Sequence, residues 1–298
     1  MFLGFEWVKK NHPKGEYTIN RFAQDIQKAG HLLSEENYSG NSLRFKQTNN
    51  WVTGTVSGSP GYKVLLGSQT IEWPGSGTNA SKSEVAYTYD EYGNAIKEQH
   101  KGEVSKTGDE VTYERNYIND TSNWLIGFPT REKAVDKDGN VLSDKLIWYD
   151  GLSLGKISKG FVSEEKSWLD NFCGTLCSNE IFYKANSSRP NLALDDPHPT
   201  VKYSYDAIGN KTTTTKYNVW QGGNADQTET IEYDSYAFCL PVKYTNALGQ
   251  ITTFTVDYVV GKPLTITDSN QGIKKYAYDS LGRTTSEFGP RDAVNPRS

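Results

Sequence analysis

The dipeptide Tyr-Asp stands five times in this chain, at Tyr89-Asp90, Tyr149-Asp150, Tyr205-Asp206, Tyr233-Asp234 and Tyr278-Asp279, with a degenerate copy at Val256-Asp257. Between Asp206, Asp234, Asp257 and Asp279 the intervals are 28, 23 and 22 residues. Recurrence at a period in the twenties is the mark of a repeat architecture, in which one small supersecondary unit is stacked many times. Repeats of this kind build surfaces and containers more readily than a single catalytic pocket. Whatever this chain folds into has to place these dipeptides in equivalent positions.

The unit is clearest near the C-terminus. Residues Ile231 to Asp234 alternate apolar and polar and then enter a turn-rich stretch ending at Pro241. Val242 to Thr245 alternate again, Asn246-Ala-Leu-Gly249 is a turn, and Thr252 to Asp257 resume the alternation. Asn and Gly suit such turns because both tolerate positive φ. The next copy runs through Gly261-Lys-Pro263, Leu264 to Thr267, the turn Asp268 to Gly272, Tyr276-Ala-Tyr278-Asp279 and Ser280-Leu-Gly282-Arg283. Strand, turn, strand, turn is a β-hairpin array. The chain is therefore expected to be all-β, an array of antiparallel β-hairpins.

Tyr87 and Tyr89, Tyr203 and Tyr205, and Tyr276 and Tyr278 lie two apart, so in a strand each pair shares a face. Stacked hairpins are expected to lay these rings into cross-strand aromatic pairs. The aspartate that follows falls where the strand ends, and its short carboxylate can accept from the N–H groups of the turn. This predicts a structural role for Asp90, Asp150, Asp206, Asp234, Asp257 and Asp279, with Gly93, Gly209 and Gly282 completing the turns. Catalytic acids have no reason to recur once per repeat. Prolines at Gly127-Phe-Pro129, Cys239-Leu-Pro241 and Gly261-Lys-Pro263 are expected at strand entries or bulges, because proline cannot donate to a ladder.

Composition supports strands: 19 of the 298 residues are tyrosine, and an apolar fraction of 35% promises a thin or tyrosine-lined core. The net charge is −4 and no basic run is present, so nothing marks a nucleic-acid partner. No stretch is long and apolar enough for a membrane span, and Met1 to Trp7 does not read as a signal peptide. Three cysteines make no disulfide framework; Cys173 and Cys177 lack the second ligand pair a zinc site needs. Asp136-Lys-Asp-Gly-Asn140 lacks the spacing and terminal glutamate of an EF-hand, and His198 beside Asp195 and Asp196 reads as solvated charge in a Pro-bounded loop. No nucleophile elbow, phosphate loop, His-Glu-x-x-His or dinucleotide motif appears. No catalytic, cofactor or metal residue is expected.

Residues 1–80 are less regular than the rest, with strands expected at Phe2–Val8, Glu16–Ile19, Leu43–Phe45, Trp51–Val56 and Tyr62–Leu65. The pattern admits one short helix near residues 20–29, with Phe22 and Ile26 one turn apart and Gly30 as its C-cap. Repeats occupy 81–298, interrupted by an irregular insertion at about 163–200.

Tyr203-Ser-Tyr205-Asp206-Ala-Ile-Gly209-Asn210 and Tyr276-Ala-Tyr278-Asp279-Ser-Leu-Gly282-Arg283 resemble the Tyr-Asp-x-x-Gly-Asn/Arg motif of RHS/YD-repeat proteins. The opening Phe2-Leu-Gly4-Phe5, the 87–94 segment, Leu125-Ile-Gly-Phe-Pro-Thr130 and Gly289-Pro-Arg-Asp292 resemble the middle region of the B component of bacterial insecticidal toxin complexes and of related plasmid-virulence-type proteins. The resemblance covers 84–298 well and 1–80 less well. It implies a strip of hairpins spiralling into a hollow shell that encloses a C-terminal toxic domain before delivery. It implies as partners the remaining shell, that toxic domain and toxin-complex A and C type components, and a secreted or cell-surface location. The family's β-propeller, self-cleaving plug and toxin are not in this sequence, so a fragment or truncated product is expected. Two further readings stand beside the shell: a carbohydrate-binding or cell-surface YD-repeat module using its tyrosines and 7 tryptophans, and a glycosidase using paired carboxylates, for which no pair is singled out.

Overall fold

A computed structural model describes residues 4–55, 61–75, 80–169, 200–217 and 226–289. Cys173, Cys177, Asp195, Asp196 and His198 lie outside the described residues, as does most of the 163–200 stretch. The chain divides into two compact units. The first comprises Met1–Ile147, Leu154–Gly160 and Ser167–Asp196; the second comprises Trp148–Ser153, Phe161–Lys166 and Pro197–Ser298.

The described chain is nearly all strand. The first unit carries β1 (Trp7–Asn11), β2 (Glu16–Phe22), β3 (Leu32–Ser39), β4 (Ser42–Thr55), β5 (Tyr62–Trp73), β6 (Ser81–Tyr89), β7 (Ala95–Glu103), β8 (Val111–Asp120), β9 (Leu125–Asp136) and most of β10 (Val141–Tyr149). Each pairs antiparallel with the next, from β1–β2 through β9–β10. The second unit holds the start of β11 (Val162–Leu169), then β12 (Thr200–Tyr205), β13 (Lys211–Tyr217), β14 (Gln227–Tyr233), β15 (Pro241–Thr245), β16 (Ile251–Asp257), β17 (Lys262–Thr267), β18 (Ile273–Tyr278) and β19 (Thr284–Phe288). These too pair in sequence order, from β11–β12 to β18–β19. The expected all-β hairpin array is what the chain forms.

The helix expected near 20–29 is absent. Residues up to Phe22 belong to β2, and 25–30 form turns in which the Lys28 N–H donates to Asp25 Oδ1 at 2.9 Å. One turn of apolar spacing could not outweigh the pairing of Thr18, Ile19 and Phe22 with β3. Ile26, which a helix needed to bury, is 71% exposed. The one short helical turn among the described residues is the 3-10 segment Pro13–Gly15.

In the second unit the two sheet faces differ. Tyr203 and Tyr205 are half-buried, whereas Lys202 and Ser204 are exposed. The tyrosine face continues through Ile231, Tyr244, Phe254 and Ile266, which the registers place opposite one another or on adjoining strands. The other face carries threonines: Thr215 and Thr228 share a hydroxyl bond at 3.1 Å, and Thr255 and Thr265 one at 2.7 Å. In the first unit the deepest apolar residues include Ala134, Leu146 and Ile147 on β9 and β10.

Candidate functional site

The Tyr-Asp turns are the recurring constellation, and their geometry follows from local chemistry. At Asp90 the backbone N–H donates to the Asn94 carbonyl at 3.0 Å, and the Asn94 N–H returns to Asp90 Oδ1 at 2.9 Å. The same reciprocal closure joins Asp206 to Asn210 at 2.9 and 2.8 Å, and Asp279 to Arg283 at 2.9 and 2.9 Å. Longer loops close identically: Asp234 with Leu240 at 2.9 and 3.0 Å, and Asp150 with Phe161 at 2.7 and 3.0 Å. The aspartate thus satisfies the first N–H of the returning strand, and loop length is free to vary around it.

Three turns that carry no Tyr-Asp obey the same rule. They are Asp136 with Asn140, Asn246 with Gln250, and Asp268 with Gly272. Asn246 closes its turn with an amide oxygen, so the geometry asks for an acceptor and not for a charge. In all six five-residue turns the fourth residue has positive φ: Gly93, Gly139, Gly209, Gly249, Gln271 and Gly282. That is a type I turn followed by a left-handed residue, a common hairpin connection. The sequence signal shared by these turns is an Asx residue four positions before the strand resumes, and it is easily missed when Tyr-Asp alone is followed.

The degenerate copy differs. Asp257 Oδ1 accepts from the N–H of Val259 at 2.8 Å and of Val260 at 3.3 Å, while the Asp257 carbonyl accepts from Gly261. Here Asp257 pairs with Lys262 in the ladder itself, its carboxylate accepts only from within the turn, and Val256 brings no hydroxyl.

The tyrosine before each aspartate has its own partner. Tyr89 donates its hydroxyl to the Leu66 carbonyl at 2.8 Å, Tyr205 to Val162 at 2.9 Å, Tyr233 to Lys211 at 3.0 Å and Tyr278 to Pro263 at 2.7 Å. Each acceptor lies on the preceding, paired strand. Tyr117, outside any Tyr-Asp, does the same to Ala95 at 3.2 Å. Beside Tyr89, Tyr205, Tyr233 and Tyr278 the register slips by one residue. Such a bulge adds local twist and re-aims a side chain, here the tyrosine at the neighbouring backbone. Pro129, Pro241 and Pro263 each pair directly at a register slip, where a ladder donor is dispensable. Tyr149 is 3% exposed. Tyr87 stacks on Tyr89 at 6.3 Å and Tyr276 on Tyr278 at 6.5 Å, so these rings stack along their own strand, and it is the Tyr89 and Tyr278 hydroxyls that reach across to the neighbouring one.

Electrostatics agree with closed turns. Burial raises the Asp90 carboxyl, but bonds from the Asn94 side chain and N–H, from Asn119 and from the Tyr92 N–H outweigh it and hold it below the usual range. The Asn210 side chain lowers Asp206, and the Arg283 N–H and guanidinium lower Asp279. Asp234 is pushed up by burial and brought below its ordinary value by the N–H groups of Ala237, Leu240 and Tyr236. Burial, then a 2.7 Å bond to Glu165, pushes the Tyr203 hydroxyl up to about 12. A carboxylate held ionised by its own loop is a poor general acid and has few free lone pairs for a metal. Among the described residues, no group of three His, Cys, Asp or Glu side chains is placed to hold a metal ion.

The Tyr-Asp residues are therefore not gathered into one site. Within each unit they recur hairpin by hairpin.

This arrangement has solved counterparts. A chain of the Tc holotoxin pore of Photorhabdus luminescens matches with a TM-score of 0.67 at 12% identity, over 96% of this chain and 20% of that one. The crystal structure of TcdB2-TccC3 matches with a TM-score of 0.67 at 12% identity, over 97% of this chain and 21% of that one.

The chain has the fold of these Tc toxin chains.

It spans about a fifth of their length. A further TcdB2-TccC3 structure agrees at a TM-score of 0.61 and 11% identity. No family model and no curated protein matches the sequence. The RHS/YD resemblance read from the Tyr-Asp motifs and the fold likeness thus point to the same proteins. Among the described residues no helix is long and apolar enough to cross a membrane.

Proposed function

We propose that this chain is a wall segment of a Tc-type toxin shell, a non-enzymatic sheet that encloses and helps deliver a toxic domain. The observation that carries the reading is the eight-fold recurrence of one turn closure on a fold matching Tc toxin chains over 96% of the present chain. A wall needs hairpins of constant geometry and variable loops, and reciprocal Asx closure provides both. The Tyr-Asp residues are architecture on this reading: the hydroxyls of Tyr89, Tyr205, Tyr233 and Tyr278 tie their strands to the preceding ones, and aspartates end strands. Their oxygens are spent within the turns, which disfavours a glycosidase. Further toxin components are the partners this role calls for, and secretion follows from it.

The test is electron cryo-microscopy of the polypeptide purified from the cells that make it. The expected map shows these residues as part of a closed wall around internal density. A sheet bounding no enclosed volume would overturn the proposal. A glycan array probed with the same material is expected to be blank; saturable sugar binding would favour a recognition module.

A further inference from the structure

In the second unit the turns after β12, β14, β16 and β18 all lie at one edge of the sheet, because each hairpin returns the chain to its starting side. They are residues 206–210, 234–240, 257–261 and 279–283. Neighbouring turns touch. The Asn210 amide donates to the Phe238 carbonyl, and the Tyr236 and Tyr258 rings meet edge to face at 5.1 Å. Lys262 Nζ donates to the Gly282 carbonyl at 2.7 Å, and a Cβ on Gly282 would sit 3.7 Å from Val260. The four turns form one continuous rim.

The rim is apolar on its outer side. Each turn folds its aspartate carboxylate inward onto backbone N–H groups and leaves an apolar residue two positions later in solvent: Ile208, Tyr236, Val259 and Leu281. With Phe238 and Tyr258 these side chains are between 49 and 91% exposed. No residue between an aspartate and the end of its turn carries a charge, apart from the closing Arg283, which is bonded back to Asp279. Among the described residues the opposite edge of the same unit has no such row: its turn 246–250 presents Leu248, but 268–272 presents Ser269 and Asn270. Contiguous exposed apolar side chains of this extent mark an interaction surface.

We propose that this rim is a docking surface for the same rim of a second copy of the chain. Three observations select that occupant. The exposed row is apolar, its carboxylates are folded onto their own turns and Arg283 is paired with Asp279, so it offers little to steer a strongly acidic or basic partner. A lipid surface recruits amphipathic elements through free basic residues beside the apolar ones. Here Lys262 is committed to the Gly282 carbonyl and Arg283 to Asp279. Finally, the rim's own turns already pack on one another ring to edge and side chain to glycine, so a second such row is a chemically matched partner, and two identical rows pair under a two-fold axis. A fully covered aromatic side chain buries about 150–250 Å². Six half- to mostly exposed apolar tips therefore offer on the order of 600 Å². With the turn backbone between them this approaches the ~800 Å² per partner of a stable interface. The inference stands independently of the shell reading.

Sedimentation velocity of the 298-residue chain over a wide concentration range tests it. A concentration-dependent dimer is expected, and Val259→Asp or Leu281→Asp should raise its dissociation constant by about tenfold or more, because a charge would be buried without a partner. Leu248→Asp, at the equivalent turn position on the opposite edge, should leave it unchanged. A monomer throughout, or equal weakening by Leu248→Asp, overturns the proposal. So does pelleting of the wild type with phosphatidylcholine vesicles that Val259→Asp abolishes, since lipid is then the occupant. The exposed Cys239 thiol within the rim gives a readout on unmutated protein. Its maleimide labelling, followed by peptide mass mapping, should slow as the dimer forms, and a rate independent of concentration also overturns the proposal.

Discussion

Two cross-strand ion pairs show how differently this sheet treats charge from one stretch to another. In the first unit Arg131 on β9 grips Asp144 on β10 with both ends of its guanidinium, Nε at 2.9 Å from Oδ1 and an Nη2 bond to Oδ2, and Asp144 is 1% exposed. In the second unit Lys243 on β15 meets Glu232 on β14 at 2.7 Å, with side chains 35% and 59% exposed. Separation barely distinguishes the pairs; water does. The bond to Asp144 holds the Arg131 guanidinium still more firmly protonated than usual. Leu146, buried on the same face as the pair and opposite Arg131, and Ala134 and Ile147, buried on the other face, make this stretch core-like, whereas the strands of the repeat array present threonines and lysines to solvent on one face. One stretch behaves as a domain core and the other as a wall.

The sharpest way to break that contrast is to remove one partner from each pair. Asp144→Ala strands a guanidinium with its main hydrogen-bond acceptor gone, and an expected loss of about 3–5 kcal/mol follows from the uncompensated charge. Glu232→Ala should cost less than ~1 kcal/mol, the ordinary worth of an exposed pair. Urea unfolding of both variants measures the difference. Similar losses would mean that the core-like burial at β10 does not matter to stability.

Turn glycines extend the comparison to the backbone. Gly209 and Gly249 occupy the same turn position at φ of +102° and +76°. A Cβ on Gly209 would lie 2.7 Å from the Phe161 ring, whereas a Cβ on Gly249 would meet nothing within 4 Å. Both alanine variants carry the left-handed penalty of roughly 1 kcal/mol. Gly209→Ala adds a clash with a ring that itself stacks on Tyr205 at 5.0 Å, for a total of about 2–3 kcal/mol. Thermal melts should rank Gly209→Ala well below Gly249→Ala. Equal losses would locate the constraint in φ alone.

Acid and alkali address the turns and the tyrosines separately. Asp90, Asp206, Asp234 and Asp279 are all held below their ordinary values in the folded chain. Their contribution is fully present above about pH 4 and is lost as pH falls through the lower folded values. Melting temperature should drop below pH 4, and Asp206→Asn with Asp279→Asn should flatten the drop, as Asn246 already closes its turn without charge. Tyr203 is raised, so its contribution is present below about pH 10 and is lost as pH rises toward 12. Tyr203→Phe should blunt that alkaline loss. An acid profile unchanged by the double Asn variant would remove the turns as its source.

Strand alternation and Gly-containing turns made the hairpin array readable, because the period-2 pattern and the Tyr-Asp punctuation are local. The role of each aspartate at a strand end was readable for the same reason: an Asx turn involves neighbours in sequence. What escaped was non-local. The tyrosine hydroxyl bonds reach carbonyls on the preceding strand, such as Tyr205 to Val162, and no local pattern names that acceptor. Asn37, which accepts from the Thr18 hydroxyl across β2 and β3, and Asn49, which accepts from the Gln69 amide across β4 and β5, carry no repeat signature either. The helix expected near 20–29 failed because helical spacing over one turn cannot compete with a paired strand.

The smallest expected effect concerns the one turn that breaks the pattern of its fellows. Five of the six Asx-closed five-residue turns have glycine at the fourth position, and the sixth has Gln271 at φ of +64°. Gln271 still donates its N–H to the Asp268 carbonyl at 3.0 Å, and Gly272 closes the turn onto Asp268 Oδ1 at 2.8 Å. The hydrogen bonds are therefore the same as at Gly282, and the difference is the Cβ, which in a left-handed residue crowds the following carbonyl at a cost of roughly 1–2 kcal/mol. Glycine relieves that crowding but raises the entropy of the unfolded chain, which returns part of the gain. Gln271→Gly should stabilise the protein by about 0.5 kcal/mol, a rise of a degree or two in melting temperature. A decrease would show that the Gln271 side chain makes a contact worth more than the backbone strain it imposes, and would set this turn apart from the other five.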